Sequence, residues 1–468
     1  MTAGGHGSVT PDPDVAREYR DAVRTLTERG RFGIRLGLGR TRALLRELGN
    51  PERAFRGALI AGTNGKGSVL ALTASALSAA GLRTGETPKP HLVSYRERMQ
   101  IGGRPINPAT FARLVREVLP AADRVARRLG RPTEFELLTA VIFRWFAEVG
   151  LDVAVVEVGL GGRLDATHAW DGGVAVITNV ALDHMDRLGD TIPKIAREKA
   201  AIIERGDQAV TGASGEALPV VRRRARRMGV PLTEVGAGEL LGWDRDGIEV
   251  RLPGLGPTRI GLRGRHQAEN AAVANATLDA LEAAGIARAP AAARRRGFAS
   301  ARWPGRLELL RVDGRDVLLD GAHNPAGAAT LATAIDDLRP HLTGGDRREP
   351  PPITLVIGAM GDKDVDGIVT ALAASESIRD AQVLATQVDL PRALAAEAFA
   401  ARWRTLVPGV AVEAQPDVDR ALQRALAVGD GPIVVAGSLY LVGEVRRRWL
   451  DDPLLNDPWL PDPEATPA

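Results

Sequence analysis

The chain predicts two α/β units in tandem, the first built on a parallel sheet wound by helices on both faces. Three observations carry that expectation. Ala58-Leu59-Ile60-Ala61, Asp152–Val158 and Val174–Asn179 are short apolar runs with almost no polar alternation, as expected of parallel strands covered on both faces. Segments of helical pattern separate them. Beyond residue 304 the strand-and-helix alternation restarts, with Val317-Leu318-Leu319-Asp320, Ile353–Gly358 and Pro432–Ser438 among its strands. A length of 468 residues accommodates both units at ~150 residues or more each, and we place the division between 1–300 and 301–468.

Composition narrows the function classes. The chain has no cysteine, which excludes disulfides, thiolate metal sites and a cysteine nucleophile. No apolar run reaches the ~18 residues of a membrane span, and the polar start, Met1 to Asp14, has no signal-peptide core, so a cytoplasmic protein without a membrane partner is expected. The net charge of +3 is small for this length. The densest basic run, Arg222-Arg223-Arg224 with Arg226 and Arg227, lacks interleaved aromatics and reads as a solvated helix face rather than a nucleic-acid grip. Of 61 basic residues only Lys66, Lys89, Lys194, Lys199 and Lys363 are lysines. Where nearly every positive charge is an arginine, a retained primary amine is a site candidate.

In chain order, residues 15–50 read as two helices interrupted by a turn at Phe32–Leu38. The strand at Ala58–Ala61 runs into Gly62-Thr63-Asn64-Gly65-Lys66-Gly67-Ser68, and a helix follows as far as Gly81. Strand, glycine-rich turn and helix form the context of a phosphate cradle, in which main-chain N–H groups and the helix N-terminus meet the anion. Lys66 would reach the outer phosphates, and Ser68 would ligate Mg²⁺ or bond a phosphate. The loop is a variant: the Gly expected five residues before Gly65 is Ile60. A breaker-rich loop, Thr87-Pro88-Lys89-Pro90-His91, precedes a short strand at Met99–Ile101 and helices at 108–129 and 134–149. A helix runs from Ile192 to Glu204, strands surround a helix (217–228) between 207 and 262, and another helix continues to Gly285. Residues 286–304 read as a linker. The second unit adds a helix to Leu338, a polar loop at 343–352, a strand near Ala381–Leu384, helices at 391–404 and 416–428, and a last helix.

Three residues near the strand ends carry chemistry. Glu157 interrupts an apolar run, and a buried carboxylate needs a cation, either a metal or an Arg such as Arg163. His184, just past the third strand, is a ligand candidate or a satisfied polar residue. Lys199 lies on the apolar face of its helix, four residues after Ile195. There it either snorkels or stays partly neutral and reacts with CO₂ to form a carbamate suited to a metal site.

These motifs, together with several others, are similar to those of the folylpolyglutamate synthase/dihydrofolate synthase family, within the Mur ligase superfamily. The resemblance runs from about residue 33 to residue 446. It rests on Leu36-Gly37-Leu38, the Gly62–Ser68 loop, His91–Tyr95 with Glu97-Arg98, Glu157–Thr167, Asp183-His184 and Glu198-Lys199-Ala200. His266-Gln267 with Asn270, Trp303–Arg306, Asp320–Pro325 and Asp362-Lys363-Asp364 complete it. The resemblance implies a phosphate-loop ATPase unit of Mur ligase type and a Rossmann-like carboxy-terminal unit on the glutamate side. It also implies an ATP-dependent ligase working through an acyl phosphate, with a folate or dihydropteroate, L-glutamate and ATP as partners. On that basis Glu157, His184, Ser68 and a carbamylated Lys199 hold Mg²⁺, and Asn270, Arg306 and Asp320 join the loop in binding ATP. Leu36, Gly37, Leu38, Phe135, Leu164, Asp165 and Ala166 hold the pterin-bearing substrate, and His323 and Ser438 approach the incoming glutamate. Lys66, Lys199 and His323 are the catalytic candidates, and a monomer is expected. Another amide ligase of the superfamily, or a nucleotide-binding protein without activity, are the competing readings.

Two positions depart from the family pattern. Lys89 stands where the family has a metal-ligating Ser, and an ammonium cannot ligate a metal. It is expected to replace one metal contact with a fixed charge, to pair with a phosphate or substrate carboxylate, or to face solvent. His168 stands where Asn is common.

Overall fold

The computed structural model describes residues 12–30, 35–452, 454–455 and 457–458. Part of the turn expected at Phe32–Leu38, residues 32–34, lies outside them.

The first sheet contains β1 (Gly57–Ala61), β2 (Thr84–Thr87), β3 (Gln100–Ile101), β4 (Arg104–Pro105), β5 (Val153–Glu157), β6 (Gly173–Ile177), β7 (Gln208–Thr211) and β8 (Leu232–Glu234). Their order is β4-β3-β2-β5-β1-β6-β7-β8. The six strands from β2 to β8 run parallel, and the β3–β4 hairpin adds an antiparallel edge. Burial explains the unbroken apolar runs. Leu59, Ala61, Ala154, Val156 and Ile177 pack with the helices Pro108–Leu129 and Glu134–Val149. Ala58, Ile60, Val153, Val155 and Val176 pack with the helices Lys66–Ala79 and Gln267–Ala283 on the other face. Each of these strands therefore needs apolar side chains at odd and even positions alike.

A separate antiparallel sheet follows, made of β9 (Glu239–Asp244), β10 (Gly247–Leu252) and β11 (Gly256–Ile260). The last sheet joins β12 (Glu308–Val312), β13 (Arg315–Leu319), β14 (Thr354–Ile357), β15 (Gln382–Ala385), β16 (Val412–Ala414) and β17 (Ile433–Ala436) in the order β12-β13-β17-β14-β15-β16. Only β12 is antiparallel to its neighbour.

Two expectations are corrected, and one helix is added. The segment 286–304 is not a linker, because it contains the helix Ala291–Ser300, with Phe298 fully buried. Its four alanines and three arginines show no apolar stripe. Polar contacts add to the burial of Phe298: buried Arg294 donates to Ala289 O (2.8 Å) and Asp279 Oδ1 (2.6 Å), and Ser75 Oγ donates to Gly297 O (2.8 Å). The helix at Ile192 ends at Ala200, not Glu204. Arg163 N donates to Glu198 O (2.9 Å), taking a carbonyl that a longer helix would use. The helix Val365–Ala373, capped by Asp364 on Gly367 N (2.9 Å), escaped the sequence reading because its few residues follow a turn-like Gly-Asp-Lys-Asp run. The arginine run lies on the helix Leu218–Met228, where Arg222 pairs with Glu234 (2.6 Å), in line with a solvated face.

Candidate active site at the carboxyl ends of the first sheet

Strands β5, β1 and β6 are neighbours, and Ile60 is in register with both Glu157 and Val176. The carboxyl ends of all three therefore meet at one place, the position at which parallel sheets bind ligands. Ile60 stands where a glycine was expected because it is the last but one residue of β1 and is fully buried.

The phosphate loop is fixed from the β6 side. Thr178 Oγ1 donates to Asn64 O (2.6 Å), and Asn64 N donates to Asn179 Oδ1 (2.9 Å). Thr63 Oγ1 donates to Ala181 O (3.1 Å) and accepts from Ala181 N (3.0 Å). Gly62 has φ 154°, and a Cβ there would fall 1.9 Å from Thr178 Oγ1. Gly67 opens the following helix, and a Cβ on it would fall 2.2 Å from the indole of Trp303. Lys66 Nζ donates to the carbonyls of Gly62 (3.2 Å) and Thr63 (3.1 Å), and Ser68 is buried in the helix's first turn.

Lys199 reaches the same loop. It is 4% exposed, and its Nζ donates to Gly62 O at 2.7 Å. Burial, reinforced by the charge of Lys66, pushes its ammonium down to about 7. Gly62, Thr63, Lys66, Asp183, His184 and Lys199 line one small cavity with the Val158–Gly161 turn. His184 takes left-handed backbone (φ 49°), and burial and the neighbouring lysines hold its imidazole below the ordinary range despite Asp183.

Glu157 is buried, and burial raises its carboxyl against the pull of Lys66 and Lys89. The ion pair with Arg163 does not form, since Arg163 pairs with Glu198 (2.9 Å). Lys89 instead wraps Glu157: its main-chain N–H donates to Glu157 Oε2 (3.0 Å) and its ammonium to Glu157 O. The Lys89 ammonium lies 5.2 Å from the centre of the Phe135 ring, and burial pushes it down to about 8. Among the described residues no three His, Cys, Asp or Glu groups converge as a metal cluster. A divalent ion here would share its shell with phosphate oxygens and water, as Mg²⁺ commonly does, and Glu157, Ser68 and His184 suit that arrangement.

The remaining candidates fall into two groups. Gly37 N donates to Leu164 O (3.3 Å), which joins the Leu36-Gly37-Leu38 loop to the Leu164-Asp165-Ala166 turn. The Asp165 carboxylate is committed to Leu160 N (2.8 Å), Thr167 N (3.0 Å) and Thr167 Oγ1 (2.6 Å), so it shapes this turn. His168 is buried and bonds Arg163 O (3.2 Å) and Glu204 (3.4 Å). On the other side, Asn270 Nδ2 donates to Gln267 Oε1 (2.9 Å), and its Oδ1 abuts Gly65. Asp320 accepts from Leu307 N (2.9 Å) and Ala322 N (2.8 Å). Arg306 has no hydrogen-bonding or ion-pair partner for its side chain among the described residues, yet its charge acts on Asp320 and Glu157. His323 Nδ1 bonds Gly321 O (2.8 Å), and because a carbonyl only accepts, the neutral ring keeps a lone pair on Nε2. Burial pushes this imidazole down to about 4. Ser438 is buried and caps the last helix by accepting from Tyr440 N (3.2 Å). Lys194 forms an exposed pair with Asp190 (2.7 Å) and takes no part in the site.

Sequence reading gave no site role to Thr178, Asn179 and Trp303, which shape the loop, or to Asp183, which meets Asn324 Nδ2 (3.4 Å) across the two sheets, although Trp303 and Asp183 stand in the quoted motifs. The Thr178-Asn179 pair, polar at the end of an apolar strand, was the available signal.

The Mur ligase middle domain model matches residues 60–278, and the Mur ligase glutamate ligase domain model matches residues 305–439. The chain is 36% identical over 499 residues to the dihydrofolate synthase/folylpolyglutamate synthase of Mycobacterium tuberculosis, covering 96% of this chain and 98% of that one. It is 33% identical over 441 residues to the Bacillus subtilis protein of the same name, covering 92% and 99%. Among solved structures, Mycobacterium tuberculosis folylpolyglutamate synthase complexed with ADP superposes with a TM-score of 0.84 at 33% identity, covering 94% of this chain and 100% of that one. E. coli FolC in complex with DHPP and ADP gives 0.77 at 28% identity, covering 91% and 97%.

Proposed function

Since the chain belongs to the folylpolyglutamate synthase/dihydrofolate synthase family of Mur ligases, we propose that it joins L-glutamate to the carboxylate of a reduced folate or of dihydropteroate. ATP supplies the phosphoryl group that turns this carboxylate into an acyl phosphate. The observation that carries the reading is the pair of lysines, Lys66 and Lys199, converging on the Gly62 carbonyl of a phosphate loop beside buried Glu157.

In this reading the N–H groups of Gly62–Ser68 and the helix N-terminus cradle the phosphates, while Lys66 and Arg306 meet the charge of the transferring phosphoryl group. Asn270 and Asp320 flank the nucleotide. Mg²⁺, held by Ser68, Glu157 and His184 with Lys199 as a carbamate, would neutralise the phosphate charge. A Lys199 amine pushed down to about 7 is substantially neutral at physiological pH, the form that adds CO₂. The Leu36–Leu38 loop, Phe135 and the Leu164–Ala166 turn bound the pterin side. His323 Nε2 accepts a hydrogen bond from the incoming amino group near Ser438. The amine adds to the acyl phosphate, the tetrahedral intermediate expels phosphate, and an amide remains. Residues 1–300 form the ATP-binding unit and 301–468 the glutamate-side unit. A cytoplasmic monomer completes the reading, since no helix among the described residues is long and apolar enough to cross a membrane and one chain carries every group named.

Phosphate release from ATP and Mg²⁺ tests this directly. It is expected to require L-glutamate together with dihydropteroate or tetrahydrofolate, and to fall roughly 100- to 1,000-fold in K66M. Release independent of both acids, or no release with either, would remove the proposal. The two acids assayed separately decide whether one activity or both are present.

A further inference from the structure

Lys89 is a half-buried cation lining a cavity of about 340 Å³, and the Glu157 and Asp165 carboxylates act on it without forming an ion pair. Its ammonium donates to Glu157 O and lies 3.5 Å from Thr87 Oγ1. Both acceptors are neutral oxygens. The Glu157 carboxylate does not close on it, because one oxygen takes the main-chain N–H of Lys89 instead (3.0 Å). Asp165, whose charge also acts on Lys89, is bonded to Leu160 N, Thr167 N and Thr167 Oγ1. Among the described residues no carboxylate forms an ion pair with Lys89 within 4.0 Å. An ammonium has three donors, so one is left without an oxygen partner. A cation drawn partly out of water, with no carboxylate closed on it, is placed to receive an anion from the cavity it lines.

Position selects which anion. Phosphates already have Lys66, bonded along the loop at Gly62 and Thr63, and the unpartnered Arg306. Lys89 lies 5.2 Å from the ring centre of Phe135. It is fastened to the end of β5, which is in register with the end of β1 where the phosphate loop begins. The Phe135 ring and the charge of Lys66 both act on it.

We propose that Lys89 receives the carboxylate of the acid substrate and holds it toward the phosphate loop, an inference that rests on the folate reading above. Lys89 keeps its proton throughout. One carboxylate oxygen gains the phosphoryl group as ADP departs. The other stays on the ammonium, where negative charge gathers when the amine adds.

Equilibrium binding of dihydropteroate and of its carboxamide, each measured without ATP, separates this role from a structural one. Wild type is expected to bind the acid roughly 10- to 100-fold tighter than the amide. K89M should bind both alike, at the level of the amide, while K89R keeps part of the preference. ADP affinity should be unchanged in K89M and its thermal midpoint should not fall, since the substitution removes an unpaired charge. A K89M variant that still preferred the acid, or that lost ADP affinity instead, would overturn this inference alone. Failure of wild type to bind either ligand would overturn the folate reading together with it.

Discussion

Glu86 illustrates what one residue contributes that no motif announces. It is 8% exposed, accepts from Gly103 N at 2.8 Å, has no cationic partner among the described residues, and lines a cavity of about 340 Å³ with Ser78, Gln100 and Trp303. Burial pushes its carboxyl up to about 7. A raised acid binds its proton more tightly in the folded chain, so its stabilising effect is complete below the ordinary 4.5 and is lost as pH rises through 7. E86Q keeps the bond from Gly103 and removes this loss. The variant should match wild type near pH 4 and exceed it by up to about 3 kcal/mol at pH 8. Denaturant unfolding at both pH values checks this, and parallel pH profiles would refute it. Glu157 was legible because it breaks an apolar run. Glu86 was not, because Thr84–Thr87 offers no such run to break.

At the scale of elements, the phosphate loop is a conformation imposed by its neighbours. Its glycines are legible in the sequence, but the partner of Gly62, Thr178, follows β6, which lies beside β1 in the sheet and far from it along the chain. G62A would meet both the 154° backbone and the hydroxyl at 1.9 Å. A strain of about 1.5 kcal/mol or more corresponds to at least about a tenfold loss of ADP affinity. Calorimetric titration with ADP measures it, and an unchanged affinity would show that the loop can bend without cost. The helix Ala291–Ser300 teaches the converse. Its sequence shows no periodic stripe because a short helix lying on the helix Lys66–Ala79 needs only a few buried contacts, among them Ala293 and Phe298.

For the whole molecule, the small sheet acts as a clamp between the two large ones. Arg245, in the β9–β10 turn, holds the fully buried Asp316 of β13 by two hydrogen bonds (2.7 and 2.5 Å), and Arg311 adds another (2.9 Å). Burial alone would raise the Asp316 carboxyl, but hydrogen bonds from Arg245, Arg311 and Thr343 outweigh it and hold it well below the usual range. Stability from a depressed acid is present above its ordinary value near 4 and is lost as pH falls. D316N should therefore cost about 1–3 kcal/mol at pH 7, with Arg245 partly in solvent, and the deficit should shrink below pH 4. Thermal unfolding across that range tests it, and a deficit constant with pH would remove the electrostatic account.

The residue order alone determined the α/β class, the glycine-rich loop after β1, the odd acid at Glu157 and a lysine on an apolar helix face at Lys199. Each of these is written locally, as the hydropathy of a strand or as one residue that breaks its helical or strand pattern. The tertiary structure decided which of these meet. The order β5-β1-β6 sets Glu157 beside the loop, Gly62 O collects both Lys66 and Lys199, and Arg163 is drawn to Glu198 rather than Glu157. It also set the Lys89 ammonium on Glu157 O and 5.2 Å from the centre of the Phe135 ring. The physical reason is range: hydropathy is a property of neighbours along the chain, whereas charge pairing and hydrogen bonding depend on distances that only folding creates.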